Sequence, residues 1–197
     1  DFTRGPFGGS LKKSMFVDSG YAVYEQKQAI HNDYGAIRYF VDEKKFFEMK
    51  RFEVLPGDLL MSCSGVTLGR ISEVPKGAPR GIINQALLKL QTKKDLVLNK
   101  FIIYWIRSKV FQDLIFKFSG GAAQPNVPGV KILKEVMIPC PSIEDQKKIV
   151  ETLDIFDNHI QSVLLVYEEE LKNLEELKKS ILQKAFSGEL TNKNKAA

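Results

Sequence analysis

The stretch from Ser142 to about Phe186 contains neither glycine nor proline, and this constrains the fold more than any other feature of the chain. Its apolar residues recur every three or four positions, as in the heptad seam of a coiled coil, with one slip between Tyr167 and Leu171. The seam residues are Ile149, Leu153, Phe156, Ile160, Val163, Tyr167, Leu171, Leu174, Leu177 and Ile181. This spacing predicts one helix about 67 Å long, at a rise of ~1.5 Å per residue.

A helix of this length cannot bury its apolar seam against one small domain. It must fold back, pair with a second chain or dock onto another subunit. The alternative is two shorter helices packed on the rest of the protein, with a break near residues 154–158. We expect the single helix, with Ser142 as its N-cap, because Pro139 and Pro141 interrupt regular structure just before it.

Charge divides the chain at the same place. Residues 1–141 hold 21 Lys and Arg against 13 Asp and Glu, a net charge of +8, whereas residues 142–197 hold 8 against 11, a net charge of −3. A basic domain permits a polyanionic partner without identifying one. We predict a basic domain over residues 1–141, a long-helix region over 142–190 and a disordered tail over 191–197.

The basic domain combines strand-like and helical patterns. Short apolar runs bounded by Gly, Pro, Asn and Asp predict strands at residues 21–24, 36–41, 58–62, 69–73 and 86–90. Apolar residues at helical spacing predict one helix, capped by Asn99 and ended by Gly120 and Gly121. Residues 134–138 are predicted to form a closing strand. The expected fold class is α+β: a globular domain with small twisted or mixed sheets and a few helices, followed by one long C-terminal helix.

The sequence lacks the motifs of common enzymes. It has no dinucleotide-binding glycine pattern, phosphate-binding loop or serine nucleophile elbow. Two acid-x-Lys spacings, at residues 42–44 and 48–50, resemble those of some nucleases but arise easily by chance in a lysine-rich chain. Cys63 and Cys140 are expected to be reduced thiols, and His31 has no metal-ligand neighbour. Because no apolar run approaches a membrane span and no secretory signal is present, we expect a cytoplasmic protein without membrane contact.

Turn-like segments of the basic domain combine small residues, amide side chains and basic side chains. Such side chains suit phosphates and the edges of bases, although any turn would contain similar residues. The segments are residues 62–70, 76–81, 84–85 and 120–126. A nucleic-acid surface is therefore one hypothesis, and an ordinary set of turns is the other.

Ten short motifs, in order along nearly the whole chain, resemble the specificity (S) subunits of type I restriction-modification systems. They are RGPFGGSL (4–11), YAVYEQ (21–26), GDLLMS (57–62), SG (64–65), GRI (69–71), IINQAL (82–87), GAAQPN (121–126), IPCP (138–141), QKKIV (146–150) and AFSGEL (185–190). The chain departs from the family at Asp145, where Glu is frequent. It also has one target-recognition domain and one conserved helix where a full subunit has two of each, so it resembles either a half-length subunit or one half excised from a full subunit.

The resemblance implies a DNA-binding domain that reads half of a split target, and a helix that holds two such domains apart. Full subunits pair two of these helices antiparallel, and a half-length chain could pair with a second copy to read a two-fold symmetric bipartite site. The helix would also dock methyltransferase (M) subunits, which bring S-adenosylmethionine and flip the target adenine. A restriction (R) subunit would join with ATP and Mg. The chain itself would hold no metal or other cofactor and would catalyse nothing.

For the recognition domain, we expect contacts to double-stranded DNA in two sets. The first set is Arg4, Ser64, Thr67 and Arg70. The second is Lys76, Arg80, Asn84, Gln85, Gln124 and Asn126, whose amides could equally satisfy backbone groups in turns. Two other functions stay open: a coiled-coil interaction adaptor with a basic body that does not read sequence, and a nuclease with an acid-x-Lys site.

Overall fold

The computed structural model of the chain describes residues 1–118 and 130–190, and contacts divide it into two units, residues 1–150 and 151–197. The predicted α+β fold class is confirmed. In the described residues the strands are β1 (Phe2–Arg4), β2 (Tyr21–Tyr24), β3 (Tyr39–Val41), β4 (Glu53–Val54), β5 (Leu59–Ser62), β6 (Ile71–Glu73), β7 (Gly81–Ile83) and β8 (Leu87–Leu90). The helices are α1 (Gln26–His31), α2 (Glu43–Glu48), α3 (Asn99–Arg107), α4 (Lys109–Phe118), α5 (Val130–Leu133) and α6 (Ile143–Phe186).

The first unit contains two four-stranded sheets. The first sheet has the order β1-β8-β5-β6, with antiparallel neighbours throughout. The second has the order β3-β2-β7-β4, in which β2 and β7 are parallel and the two outer strands are antiparallel to them. The five predicted strand segments each contain a strand, whereas β1, β4 and β7 were not predicted.

Both faces of the first sheet are covered. Side chains alternate along a strand, so Leu59 and Met61 of β5 pack in a cluster with Ile106 of α3, while Leu60 between them packs in a cluster with Tyr24 of the second sheet. All four residues of β5 are buried, as expected for a strand covered on both sides. The first unit thus has a three-layer core: helices, first sheet and second sheet.

The single helix predicted from Asn99 onward is wrong, because the chain forms two helices that meet at Ser108. The Ser108 hydroxyl donates to the carbonyl oxygen of Trp105 at 2.6 Å and accepts from the N–H of Phe111 at 3.4 Å, so it closes one helix and caps the next. Asn99 is the first helical residue rather than the cap, and its amide donates to the carbonyl oxygen of Gly57 at 2.8 Å. The predicted end at residues 120–121 lies outside the described residues.

The closing strand predicted at residues 134–138 is also wrong. The backbone N–H groups of Lys134, Glu135 and Val136 donate to carbonyl oxygens three or four residues earlier, at 3.0–3.3 Å. They continue the turn of α5 instead of pairing with a sheet. Ile138 packs against the core cluster that contains Ile106, whereas Met137 is 89% exposed, so the run forms neither a strand nor a fully buried segment.

Helix α6 is continuous from Ile143 to Phe186, so the prediction of one long helix is confirmed and a break at residues 154–158 is excluded. The Ser142 hydroxyl accepts from the N–H of Asp145 at 3.1 Å and donates to its carboxylate at 2.7 Å, which caps the helix. Within the helix, Gln146 and Val150 are buried. Most of the seam is exposed, from 40% for Ile149 to 63% for Leu171.

Candidate nucleic-acid interface

Strand direction gathers several loops at one edge of the first unit. β1, β2, β5 and β7 end there, and β6 and β8 begin there. Backbone hydrogen bonds of 2.9 Å tie the segments together: Gly5 donates to Leu87, Cys63 to Ala86 and Asn84 to Tyr24. We define the loop edge as residues 4–10, 25–26, 63–70 and 84–86. It contains Arg4, Ser64, Thr67, Arg70, Asn84 and Gln85 from the predicted set.

The loop edge is packed so closely that residue 5 must be glycine. A Cβ atom at Gly5 would lie 1.9 Å from the carbonyl oxygen of Asn84, closer than any side chain tolerates. The preceding residue, Arg4, pairs with Leu88 at the start of β8. The close approach therefore brings Arg4 to the turn that carries Asn84 and Gln85.

The turn between β5 and β6 carries Ser64, Thr67 and Arg70. It contains a short 3-10 helix, Gly65–Thr67, in which Gly65 has a φ of +76° that favours glycine. The N–H of Arg70 donates to the carbonyl oxygen of Thr67 at 3.1 Å, and that of Ser62 donates to the carbonyl oxygen of Arg70 at 2.8 Å. These bonds fix where the three predicted contact residues leave the sheet.

Gln26, the first residue of α1, is not among the predicted site residues, yet its side chain holds this turn. Its amide nitrogen lies 2.9 Å from the Ser62 hydroxyl, 3.0 Å from the carbonyl oxygen of Ser64 and 3.1 Å from the Ser64 hydroxyl. The hydroxyls of Ser62 and Thr67 are 3.3 Å apart. Ser64 and Thr67 thus belong to an internal network at the loop edge. The signal for Gln26 in the sequence was its place at the end of the YAVYEQ motif.

Arg70 is exposed and lines a cavity of about 220 Å³ together with Arg107, Gln112 and Phe116. Arg107 is held there because its guanidinium donates to the carbonyl oxygen of Ile71 at 3.0 Å. The cavity therefore presents two guanidinium groups from different elements. Such a pair suits a phosphate or the acceptor edge of a guanine.

Arg4 is half-buried. Its guanidinium carbon lies 5.7 Å from the centre of the Phe7 ring, and its buried Nε has no hydrogen-bond partner. Burial raises the pKa of the neighbouring Cys63 thiol to about 12, and the positive charge of Arg4 offsets part of that rise. Arg4 therefore places a positive charge with one unpaired, buried donor at the loop edge.

Asn84 and Gln85 differ in their surroundings. The Asn84 side-chain oxygen accepts from the N–H of Ala86 at 2.9 Å, the bond of an Asx turn. Both residues line a cavity of about 200 Å³ together with Lys13, Glu25 and Tyr39, but only Gln85 is exposed. Asn84 shapes the turn, and Gln85 is the amide that faces solvent.

Lys76 and Arg80 lie at the opposite edge, because Arg80 precedes β7 whereas Asn84 follows it. The Arg80 Nε donates to Glu53 at 2.8 Å, and its guanidinium carbon lies 4.9 Å from the centre of the Phe46 ring. Burial favours a higher pKa for Glu53, but hydrogen bonds from Lys50 and Arg80 outweigh it and lower the pKa of the carboxyl. Gln124 and Asn126 lie outside the described residues.

Comparison with known proteins identifies the family. A family model described as "Type I restriction modification DNA specificity domain" matches residues 10–176. The chain belongs to this specificity-domain family. It is 30% identical over 144 residues to the type I restriction enzyme EcoBI specificity subunit of Escherichia coli. The aligned segment covers 73% of this chain and 30% of that relative. It is 26% identical over 145 residues to the type I restriction enzyme MjaVIII specificity subunit of Methanocaldococcus jannaschii, and this alignment covers 73% of the chain and 32% of the relative.

Solved structures share the fold of this specificity domain. The HsdS subunit from Thermoanaerobacter tengcongensis matches with a TM-score of 0.63 and 21% identity, over 95% of this chain and 42% of that one. A structure whose description concerns the complex assembly and conformational transition of the type I R-M system matches with a TM-score of 0.70 and 20% identity. This match covers 94% of this chain and 43% of that one. The chain spans about a third of the length of the curated relatives it matches.

The first acidic residue of each nuclease-like spacing has a structural role in this specificity domain. Asp42 caps α2 by accepting from the N–H of Lys45 at 2.7 Å, and Lys45 pairs with Glu48 at 3.2 Å. Across residues 1–118 and 130–190, no group of three His, Cys, Asp or Glu could hold a metal ion. No helix in the same residues is long and apolar enough to cross a membrane.

Proposed function

We propose that this chain is a DNA-recognition unit of a type I restriction-modification complex and reads one half of a bipartite target. The observation that carries the proposal is the loop edge, where Arg4, Arg70 and Gln85 come together from three separate segments of a specificity domain. Guanidinium groups can take the O6 and N7 acceptors of guanine, amides can pair with adenine, and backbone N–H groups can bind phosphates.

The long helix supplies the second part of the proposal. Its seam is exposed over residues 156–181, and a second copy would cover it. Two identical recognition domains would then read a two-fold symmetric site. The helices would also dock the M subunits, and an R subunit would complete the complex. S-adenosylmethionine, ATP and Mg would belong to those partners, so this chain would position DNA and catalyse nothing.

Sequence recognition is tested by selecting duplexes from a random library with the chain assembled with its M subunits. We expect enrichment of one bipartite, two-fold symmetric sequence. A basic adaptor would bind every duplex weakly, with affinity that falls steeply as salt is raised. Absence of enrichment at every salt concentration would overturn the recognition proposal and favour the adaptor.

Dimerisation is tested by light scattering over a concentration series. We expect a mass near twice 22.3 kDa. The Ile160→Asn variant should shift the chain toward monomer, because it places an amide in the apolar seam. The Gln161→Asn variant is the matched control, since Gln161 lies outside the seam. A monomer at every concentration would remove the symmetric-site prediction and leave DNA recognition to the library selection.

A further inference from the structure

The cavity of about 220 Å³ beside Arg70 has walls that are fixed by close packing. A Cβ atom at Gly69 would lie 2.6 Å from the Nε2 atom of Gln112 and 2.8 Å from the Cδ1 atom of Ile115. The backbone of the turn after β5 is therefore in direct contact with α4. The Gln112 amide also donates to the carbonyl oxygen of Ile106 at 2.7 Å, which ties α4 to the end of α3. The cavity is thus formed before any ligand enters it.

Arg107, the last residue of α3, lines this cavity but does not belong to the loop edge. Its Nη2 atom donates to the carbonyl oxygen of Ile71 at 3.0 Å, and Ile71 directly follows Arg70 in the chain. A guanidinium group has five N–H donors, and this bond uses one of them. The bond therefore ties the charge of Arg107 to the backbone beside Arg70 and leaves most of its donors to a ligand.

Two positive charges share the cavity, and none of the described residues that line it carries a carboxylate. Those residues are Leu68, Gly69, Arg70, Arg107, Gln112 and Phe116. On the helix that forms one wall, the carboxylate of Asp113 is already paired with Lys109 at 2.8 Å. Two guanidinium groups in one cavity repel each other, whereas an anion between them attracts both. The cavity is therefore suited to an anion.

The arrangement of the two guanidinium groups favours a phosphate over the edge of a base. The acceptors O6 and N7 of guanine lie in one plane, and a single guanidinium satisfies both. A second guanidinium in the same cavity would then keep an uncompensated charge. A phosphate carries a negative charge, and its oxygens point in several directions. It can therefore accept from two guanidinium groups that belong to different elements.

We propose that this cavity binds one backbone phosphate of the DNA target, and that Arg107 is the contact that fixes the position of the first unit on the duplex. Arg70 binds the same phosphate from the turn after β5. This inference rests on the DNA-recognition part of the proposed function and adds a residue of the helix layer to the interface. Because the phosphate is the same at every base pair, Arg107 contributes affinity and register without selecting a base.

The Arg107→Gln variant, assembled with the M subunits, tests this assignment. It should bind the selected target about ten- to a hundredfold more weakly, as expected for the loss of hydrogen bonds to a charged group. The slope of log affinity against log salt concentration should become shallower by about 1, and the sequence enriched from the library should stay the same. Arg80→Gln is the matched control, because it removes the same charge at the opposite edge. It should change affinity and slope far less.

Arg107→Lys separates a phosphate contact from support of the fold. Lysine keeps the charge, so the salt dependence of the parent chain should return even where affinity is only partly restored. If Arg107→Gln loses affinity with the salt slope of the parent chain, Arg107 supports the fold and the proposal is overturned. If Arg107→Gln changes which base is enriched at any position, the cavity binds a base and the phosphate assignment is overturned.

The phosphate is located with duplexes of the selected target in which one phosphate at a time is replaced by an uncharged methylphosphonate. At the phosphate that the cavity binds, the replacement should weaken the parent chain but cost Arg107→Gln little more. Equal losses for parent and variant at every position would overturn the proposal. If the library selection enriches no sequence, the phosphate site falls together with DNA recognition. If it enriches a target that Arg107→Gln binds as tightly as the parent chain, recognition stands and the phosphate site is overturned.

Discussion

The side-chain oxygen of Gln146 accepts a hydrogen bond from the backbone N–H of Leu98 at 2.9 Å and so joins the first turns of α6 to the loop before α3. The Gln146 amide donates to the carbonyl oxygens of Leu96 and Pro141, both at 2.9 Å. Gln146 is fully buried, and these bonds use its oxygen and both of its amide hydrogens. The start of the long helix is thereby fixed to the recognition domain.

Replacing Gln146 by methionine keeps the length and helix propensity of the side chain but removes its hydrogen bonds to one N–H and two carbonyl groups. We expect the free energy of unfolding to fall by about 2–4 kcal/mol, because each of the three lost hydrogen bonds contributes about 0.5–1.5 kcal/mol. The matched control is Gln161→Met, at an exposed position of the same helix, with an expected change within about 0.5 kcal/mol. Urea unfolding measures both. Equal losses in the two variants would contradict the anchoring role.

The Gln26 amide joins α1 to the turn after β5, two segments that are far apart in sequence, and we expect this link to stabilise the fold. Gln26→Met removes all its bonds to Ser62 and Ser64 and should lower the free energy of unfolding by about 1–3 kcal/mol. Ser64→Ala leaves the Ser62 hydroxyl and the backbone carbonyl oxygen of residue 64 as acceptors, so it should cost less, about 1 kcal/mol. A larger loss for Ser64→Ala in the same unfolding measurement would show that Gln26 does not hold the turn.

Arg70 and Arg80 test which edge of the recognition domain binds DNA. Arg70→Ala should weaken binding to the selected target by about 1–3 kcal/mol, if Arg70 contacts a base or a buried phosphate. Arg80→Ala should change it less, because the Arg80 guanidinium lies at the other edge and is paired with Glu53. Binding by the assembled complex is measured for both variants at one salt concentration. A larger loss for Arg80→Ala would move the interface to the opposite edge.

The features predicted correctly from the sequence are those set by local patterns. The long helix follows from the spacing of its seam, and β2 follows from a short apolar run between turns. The break at Ser108 was missed because the apolar period continues across it, from Trp105 to Phe111, while a single hydroxyl caps the second helix.

The assembly of the loop edge depends on strand direction, which local patterns do not contain. The parallel pairing of β2 with β7 brings Gln26 and Asn84 to one edge and leaves Arg80 at the other. Motif order suggested which segments matter, but not which of them meet. The bonds of Gln26 to Ser62 and Ser64 join residues 36 and 38 positions apart, so its role became visible only in the folded chain.

The recognition domain should lose stability in alkaline solution. Burial raises the pKa of Tyr34 from 10.0 to about 12, and does the same for Tyr24. A raised pKa in an acid means that the folded state holds its proton more tightly than the unfolded state. The stabilisation is therefore complete below pH 10 and is lost as the pH rises toward 12. The buried thiol of Cys63 acts in the same direction from about pH 9.

Tyr34→Phe separates this effect from general alkaline damage. It removes one titrating group together with the hydrogen bond to Ser72 at 2.8 Å, so stability at neutral pH should fall while its decline between pH 9 and 12 becomes shallower. Urea unfolding at a series of pH values measures the slope for the variant and the parent chain. If Tyr34→Phe declines as steeply as the parent chain, the phenol of Tyr34 does not couple folding to pH, and the loss comes from other groups such as Tyr24 and Cys63.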